Sequence, residues 1–139
     1  MLTVYHASGA GLAKVEGENA TTGAVWIDLL HPTREEERDV EKRLGILLPT
    51  REEMAEIEVS SRLYQEGGAY FMTATVLHRA ETATPEATAI TFVLTERTLI
   101  TIRYAEPRAF AMFLARAARG DASAGSAIEV LVGLLEAII

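Results

Sequence analysis

The chain has no cysteine among its 139 residues. Disulfides, thiolate metal sites and cysteine nucleophiles are therefore excluded, and the composition fits a reducing compartment. Histidine is sparse too: His6, His31 and His78 are scattered, with no H-x-x-x-H pair to begin a zinc site. No segment reaches the roughly 18 to 20 uncharged apolar residues that a membrane helix needs. The longest candidate, 122–139, is interrupted by Glu129 and Glu136, and Met1-Leu2-Thr3-Val4-Tyr5 lacks the basic start and apolar run of a signal peptide. As given, the chain reads as soluble. Basic residues are in deficit, 13 Lys and Arg against 20 Asp and Glu, for a formal charge of −7. Such a surface repels phosphate backbones and anionic lipid, so neither nucleic acid nor a membrane surface is an expected partner. Catalytic signatures are missing as well. Ser60-Ser61 has no G-x-S-x-G elbow around it, and Gly9-Ala10-Gly11-Leu12 is half a dinucleotide fingerprint without a βαβ unit. No triad, dyad or phosphate cradle survives, and the chain is not expected to be an enzyme.

What is present describes one folded domain. Hydrophobic residues make up 49% and charged residues 24%, enough for a core and too apolar for disorder. Leu2–Tyr5 reads as a short strand, followed by a Gly- and Ala-rich connection through Gly23 and a strand over Ala24–Leu30. Thr33 with Glu36 forms a capping box opening a helix that Gly45 closes, and Thr50 with Glu53 forms a second, opening a short helix through about Glu56. A β region follows, in which Ile57, Val59 and Ser61 share a face, Gly67-Gly68 makes a tight turn, and strands run over 70–77, 87–95 and 99–103. Pro107 starts a helix ending at Gly120, with Phe110, Phe113 and Leu114 inward, and a last helix starts near Asp121 or Ser123. That last helix is apolar nearly all round from Ile128 to Ile139 and lacks closing residues. We read 1–139 as a single domain, and 123–139 as the start of a longer, truncated helix. The order β-β-α-α-β-β-β-β-α-α implies an α/β fold: a mixed, largely antiparallel sheet covered by helices, an α/β/α sandwich rather than a doubly wound dinucleotide fold.

The sharpest candidate site is Glu52 with Glu53. Two adjacent carboxylates on a short helix are hard oxygen ligands suited to hydrated Mg²⁺, which seldom takes more than one or two protein carboxylates. The same residues also serve as helix-start chemistry, Glu53 as the capping partner of Thr50 and Glu52 as an acid near the positive end of the dipole. The run from Glu35 to Arg43 is acidic but mixed with base, and reads as a solvated helix face. Trp26 reads as a core anchor.

The ordered set Trp26-Ile27-Asp28, Leu44-Gly45-Ile46, Pro49-Thr50 with Glu52-Glu53, Arg62, Tyr70-Phe71 and Leu99-Ile100-Thr101-Ile102-Arg103 resembles the cytoplasmic N-terminal domain of the CorA family of magnesium and cobalt transporters. The resemblance implies a homopentameric divalent-cation channel whose membrane helices and stalk end would lie outside this chain. It implies a regulatory Mg²⁺ held between neighbouring cytoplasmic domains, with Glu52 and Glu53 at the position of the acidic pair contributing to it. Two departures stand out: Glu53 replaces the family's frequent Asp, and Ser61-Arg62-Leu63 replaces its frequent Arg-Pro-Lys. The competing expectation is a stand-alone α/β interaction or small-ligand sensor domain, its acidic pair serving only as a cap.

Overall fold

The computed structural model describes residues 1–9, 11–56, 62–79 and 84–139. In chain order the elements are β1 (Leu2–Ser8), β2 (Gly11–Val15), β3 (Trp26–Leu30), α1 (Arg34–Leu44), α2 (Arg51–Glu56), β4 (Leu63–Glu66), β5 (Ala69–Arg79), β6 (Pro85–Leu94), β7 (Leu99–Arg103), α3 (Arg108–Ala118) and α4 (Ala127–Ile138). The strands form one seven-stranded sheet in the order β2-β1-β3-β7-β6-β5-β4. Strands β3 and β7 pair in parallel, and the neighbouring pairs are antiparallel. The mixed, largely antiparallel sheet with helical cover is thus the architecture observed. The shared-face expectation for Ile57, Val59 and Ser61, and the strand reading of Ser60-Ser61, lie outside the described residues.

Every residue of the two central strands is buried, as expected where a sheet is covered on both faces. One face carries Ile27, Leu29, Phe71, Val93, Ile100 and Ile102 against Val40 of α1 and Met54 of α2. The other carries Trp26, Ile90, Phe92 and Leu99 against Phe110, Phe113 and Ala117 of α3 and Val130 and Leu134 of α4. Because side chains alternate along a strand, Trp26 and Ile27 end on opposite faces.

The local punctuation acts as the sequence suggests. Thr33 and Glu36 make both halves of their capping box, and Gly45 caps the other end of α1. Gly67 and Gly68, with φ of 59° and 80°, supply the two left-handed residues of a two-residue hairpin turn between β4 and β5. Two expectations fail. The last helix starts at Ala127, because Ser126 Oγ accepts from the Glu129 amide while a Glu129 carboxylate oxygen accepts from the Gly125 amide (2.8 Å), a cap three residues beyond Ser123. The Gly- and Ala-rich connection before Gly23 contains a strand, β2, paired with β1 from Val4↔Val15 to Ser8↔Gly11.

Gly11 shows why a glycine begins that strand. A Cβ built there would lie 1.9 Å from the carbonyl oxygen of Ala117, at the end of α3. The residue allows close helix–strand approach. Gly11→Ala is expected to cost about 1–3 kcal/mol, the usual toll of overpacking. Urea unfolding would check it; a loss near zero would mean the end of α3 yields freely.

Candidate functional site

The acidic pair sits on the first turn of α2, on the side of the sheet that also carries α1. Thr50 N donates to Glu53 Oε1 and Glu53 N donates to Thr50 Oγ1, both at 3.1 Å, so the second capping box is formed in full. Met54 anchors the helix in the core at 1% exposure. The preceding link is tied down by the Leu48 amide, which donates to Glu41 Oε2 at 2.8 Å. Glu52 and Glu53 are both exposed. Glu53 commits one oxygen to the cap, whereas Glu52 has no hydrogen bond or ion pair among the described residues.

Three further carboxylates lie near. A groove of about 330 Å³ beside α2 is lined by Glu41, Glu53, Tyr64 and Glu66, among others. Tyr64 stacks on Phe71 at 4.9 Å. Its phenol is pushed up by burial first and then by the charges of Glu66 and Glu53. On the other side, Glu37 of α1 is buried and pairs with Arg34 at 3.3 Å. Burial raises the Glu37 carboxyl, Arg34 opposes the rise, and Glu41 and Glu52 add to it. The Tyr104 phenol is likewise raised, by burial and then the Glu37 charge, against the lowering effect of Arg51. Arg51 places its guanidinium 4.6 Å from the centre of the Tyr104 ring, a cation–π contact. Among the described residues no group of three or more His, Cys, Asp or Glu is arranged to hold a metal. The pair therefore offers donors, and a complete coordination shell would need more from elsewhere.

His6 Nε2 donates to the Ala20 carbonyl at 2.6 Å, and His31 lies edge-on to Tyr104 at 6.0 Å.

Sequence reasoning missed a buried polar centre on the opposite face. Trp26 Nε1 donates to Thr101 Oγ1 (2.9 Å), and Thr101 donates onward to Asp28 Oδ1 (2.7 Å). Arg103 grips Asp28 through Nε (3.0 Å) and Nη2 (2.7 Å), gives Nη1 to the Ala105 carbonyl, and lies 4.4 Å over Phe110. The Asp28 and Arg103 side chains are 4% and 8% exposed. Both motifs were visible as Trp26-Ile27-Asp28 and Leu99 to Arg103; the parallel register Asp28↔Thr101 and Leu30↔Arg103 joins them. A fully satisfied buried network of this kind specifies strand pairing rather than chemistry.

No helix among the described residues is long and apolar enough to cross a membrane. A family model described as "CorA-like Mg2+ transporter protein" matches residues 21–139. The magnesium transport protein CorA of Escherichia coli strain K12 is 31% identical over 139 residues, covering 98% of this chain and 44% of that protein. Its namesake in Pectobacterium atrosepticum is 29% identical, with the same shares. The chain thus spans less than half the length of these curated relatives. Among solved structures, the CorA magnesium transporter of Methanocaldococcus jannaschii superposes with a TM-score of 0.72 at 14% identity, over 99% of this chain and 44% of that one. The cytoplasmic domain of ZntB from Vibrio parahaemolyticus gives 0.67 at 16% identity, over 98% and 56%. At these identities the superpositions establish a shared fold.

Proposed function

The chain belongs to the CorA-like Mg²⁺ transporter family, and from that premise we propose that it is the cytoplasmic, cation-sensing domain of a longer divalent-metal transport channel. In this reading it conducts nothing and catalyses nothing. Glu52 and Glu53 supply one half of a regulatory Mg²⁺ site, and a neighbouring subunit of a homopentamer supplies the other. The observation that carries the reading is the exposed pair on α2, with the Glu52 carboxylate unengaged among the described residues and only one Glu53 oxygen used by the cap. One or two carboxylates per subunit bind Mg²⁺ weakly, which suits sensing at cellular concentrations. The ion would favour whichever subunit arrangement brings the two halves together, and that differential binding is what can gate. Mg²⁺ and Co²⁺ are the ions proposed for transport.

One observation favours a second reading. The completed Thr50–Glu53 box gives Glu53 a purely structural task, as in a stand-alone interaction domain. Comparing Glu52→Ala with Glu53→Ala separates the two. Glu53→Ala is expected to cost about 0.5–2 kcal/mol as a lost cap under either reading. Glu52→Ala touches no cap. In the full-length channel it is expected to relieve inhibition of ion flux by internal Mg²⁺, with thermal stability nearly unchanged. Full inhibition retained in Glu52→Ala would leave the pair as helix-start chemistry alone.

A further inference from the structure

We propose that Tyr104 is a positioning residue for Glu52: its ring is the platform on which Arg51 lies, and this contact sets the direction in which α2 presents the acidic pair. The inference rests on the metal-sensing reading above for its consequence, though not for its geometry. Helix α2 has six residues, of which Met54 alone is buried, and so short a helix has little stability of its own. Met54 anchors it to the core, and the buried Leu48-Pro49 link, held by the Leu48 amide on Glu41, fixes where the chain enters it. The Thr50–Glu53 box fixes the first turn internally, without tying its exposed face to the sheet. The cation–π contact from Arg51 to Tyr104 supplies that further attachment.

The platform is well founded. Tyr104 directly follows β7, a strand buried along its whole length, and His31, directly after β3, meets the ring edge-on at 75°. Strands β3 and β7 are parallel neighbours, and the helices that follow them, α1 and α3, pack on opposite faces. Such a switch point is the usual place for a site in open α/β sheets. Glu52 is the neighbour of Arg51, and its charge reaches both Glu37 and Tyr104. Releasing Arg51 would therefore remove a cation from an acidic neighbourhood and loosen the helix bearing it.

The test is a nuclear magnetic resonance comparison of the chain with its Tyr104→Ala, Tyr104→Phe and Arg51→Ala variants. It reads the Glu52 carboxyl carbon shift, hydrogen exchange at the Met54 amide, and the response to added MgCl₂. Tyr104→Ala and Arg51→Ala are expected to move the Glu52 resonance and speed Met54 exchange, and Tyr104→Ala, which keeps the Arg51 charge, is expected to weaken the Mg²⁺ response roughly tenfold, as loss of an outer-shell support does. Tyr104→Phe keeps the ring while losing the phenol beside Glu37, and is expected to match the unaltered chain in Met54 exchange. An unmoved Glu52 resonance and unchanged Met54 exchange in Arg51→Ala would overturn the proposal, as would Phe behaving like Ala. Absence of any Mg²⁺ response in the unaltered chain would count against the metal site instead, while the first two readouts still judge the platform.

Discussion

Arg103→Ala is expected to remove about 3–5 kcal/mol of stability, the cost of leaving one member of a buried ion pair alone. That is a large share of what a domain of this size possesses. The loss is not the worth of an attraction. Asp28 of β3, 4% exposed in the intact chain, would be left with its two guanidinium donors gone and only the Thr101 hydroxyl remaining. Replacing both partners by apolar residues of similar volume, Asp28→Leu with Arg103→Met, should cost far less than the sum of the single changes, because no charge is then stranded. Urea unfolding of the four proteins checks this as a double-mutant cycle. Additive losses would mean that water reaches Asp28 once Arg103 is removed.

Trp26→Ala should be comparably severe, at about 3–5 kcal/mol, in line with other large aromatic truncations. The indole is completely buried, stacks on Tyr5 at 4.7 Å, and meets Phe113 edge-on at 5.9 Å and Phe110 at 6.2 Å. Its removal opens a cavity where β3 meets α3. Trp26→Phe restores most of the apolar contact but loses the Nε1 donor to Thr101, so about 1 kcal/mol should be recovered only by the indole. Trp26 is the sole tryptophan, so far-ultraviolet circular dichroism must follow unfolding in place of intrinsic tryptophan fluorescence. A small loss in Trp26→Ala would show that Tyr5 and the α3 phenylalanines collapse into the space.

Both changes fall on residues noticed early for a different reason. Trp26-Ile27-Asp28 and Leu99 to Arg103 are pieces of a family pattern, and the structure shows what joins them in this chain. They are adjacent parallel strands whose polar side chains close one network. The acidic pair had two possible uses, and the structure has Glu53 serving one of them as a cap. That cap occupies a single oxygen, and Glu52 has no side-chain partner among the described residues, so the metal-binding use stays a proposal with a clear experiment.

Much of the fold was legible because its signals are short-range. A capping box spans three residues, a helix stop needs one glycine, and a hairpin turn needs two, so Thr33, Gly45, Thr50 and Gly67-Gly68 could be read in place. Central strands were also readable, since burial on both faces leaves an apolar run at Leu99–Ile102. Strand β2 was not. Gly11-Leu12-Ala13-Lys14-Val15 has weak strand preference, and becomes a strand because β1 offers it a free edge and α3 presses close at Gly11.

From its sequence alone, then, the chain determined its helix caps, turns, central strands and the position of its acidic pair, because each depends on residues within a turn or two of one another. The tertiary structure alone decided which distant groups would meet: Asp28 with Arg103, 75 residues apart, and Arg51 with Tyr104. Sheet order and register set those encounters, and no local pattern encodes the pairing of strands as far apart in sequence as β3 and β7.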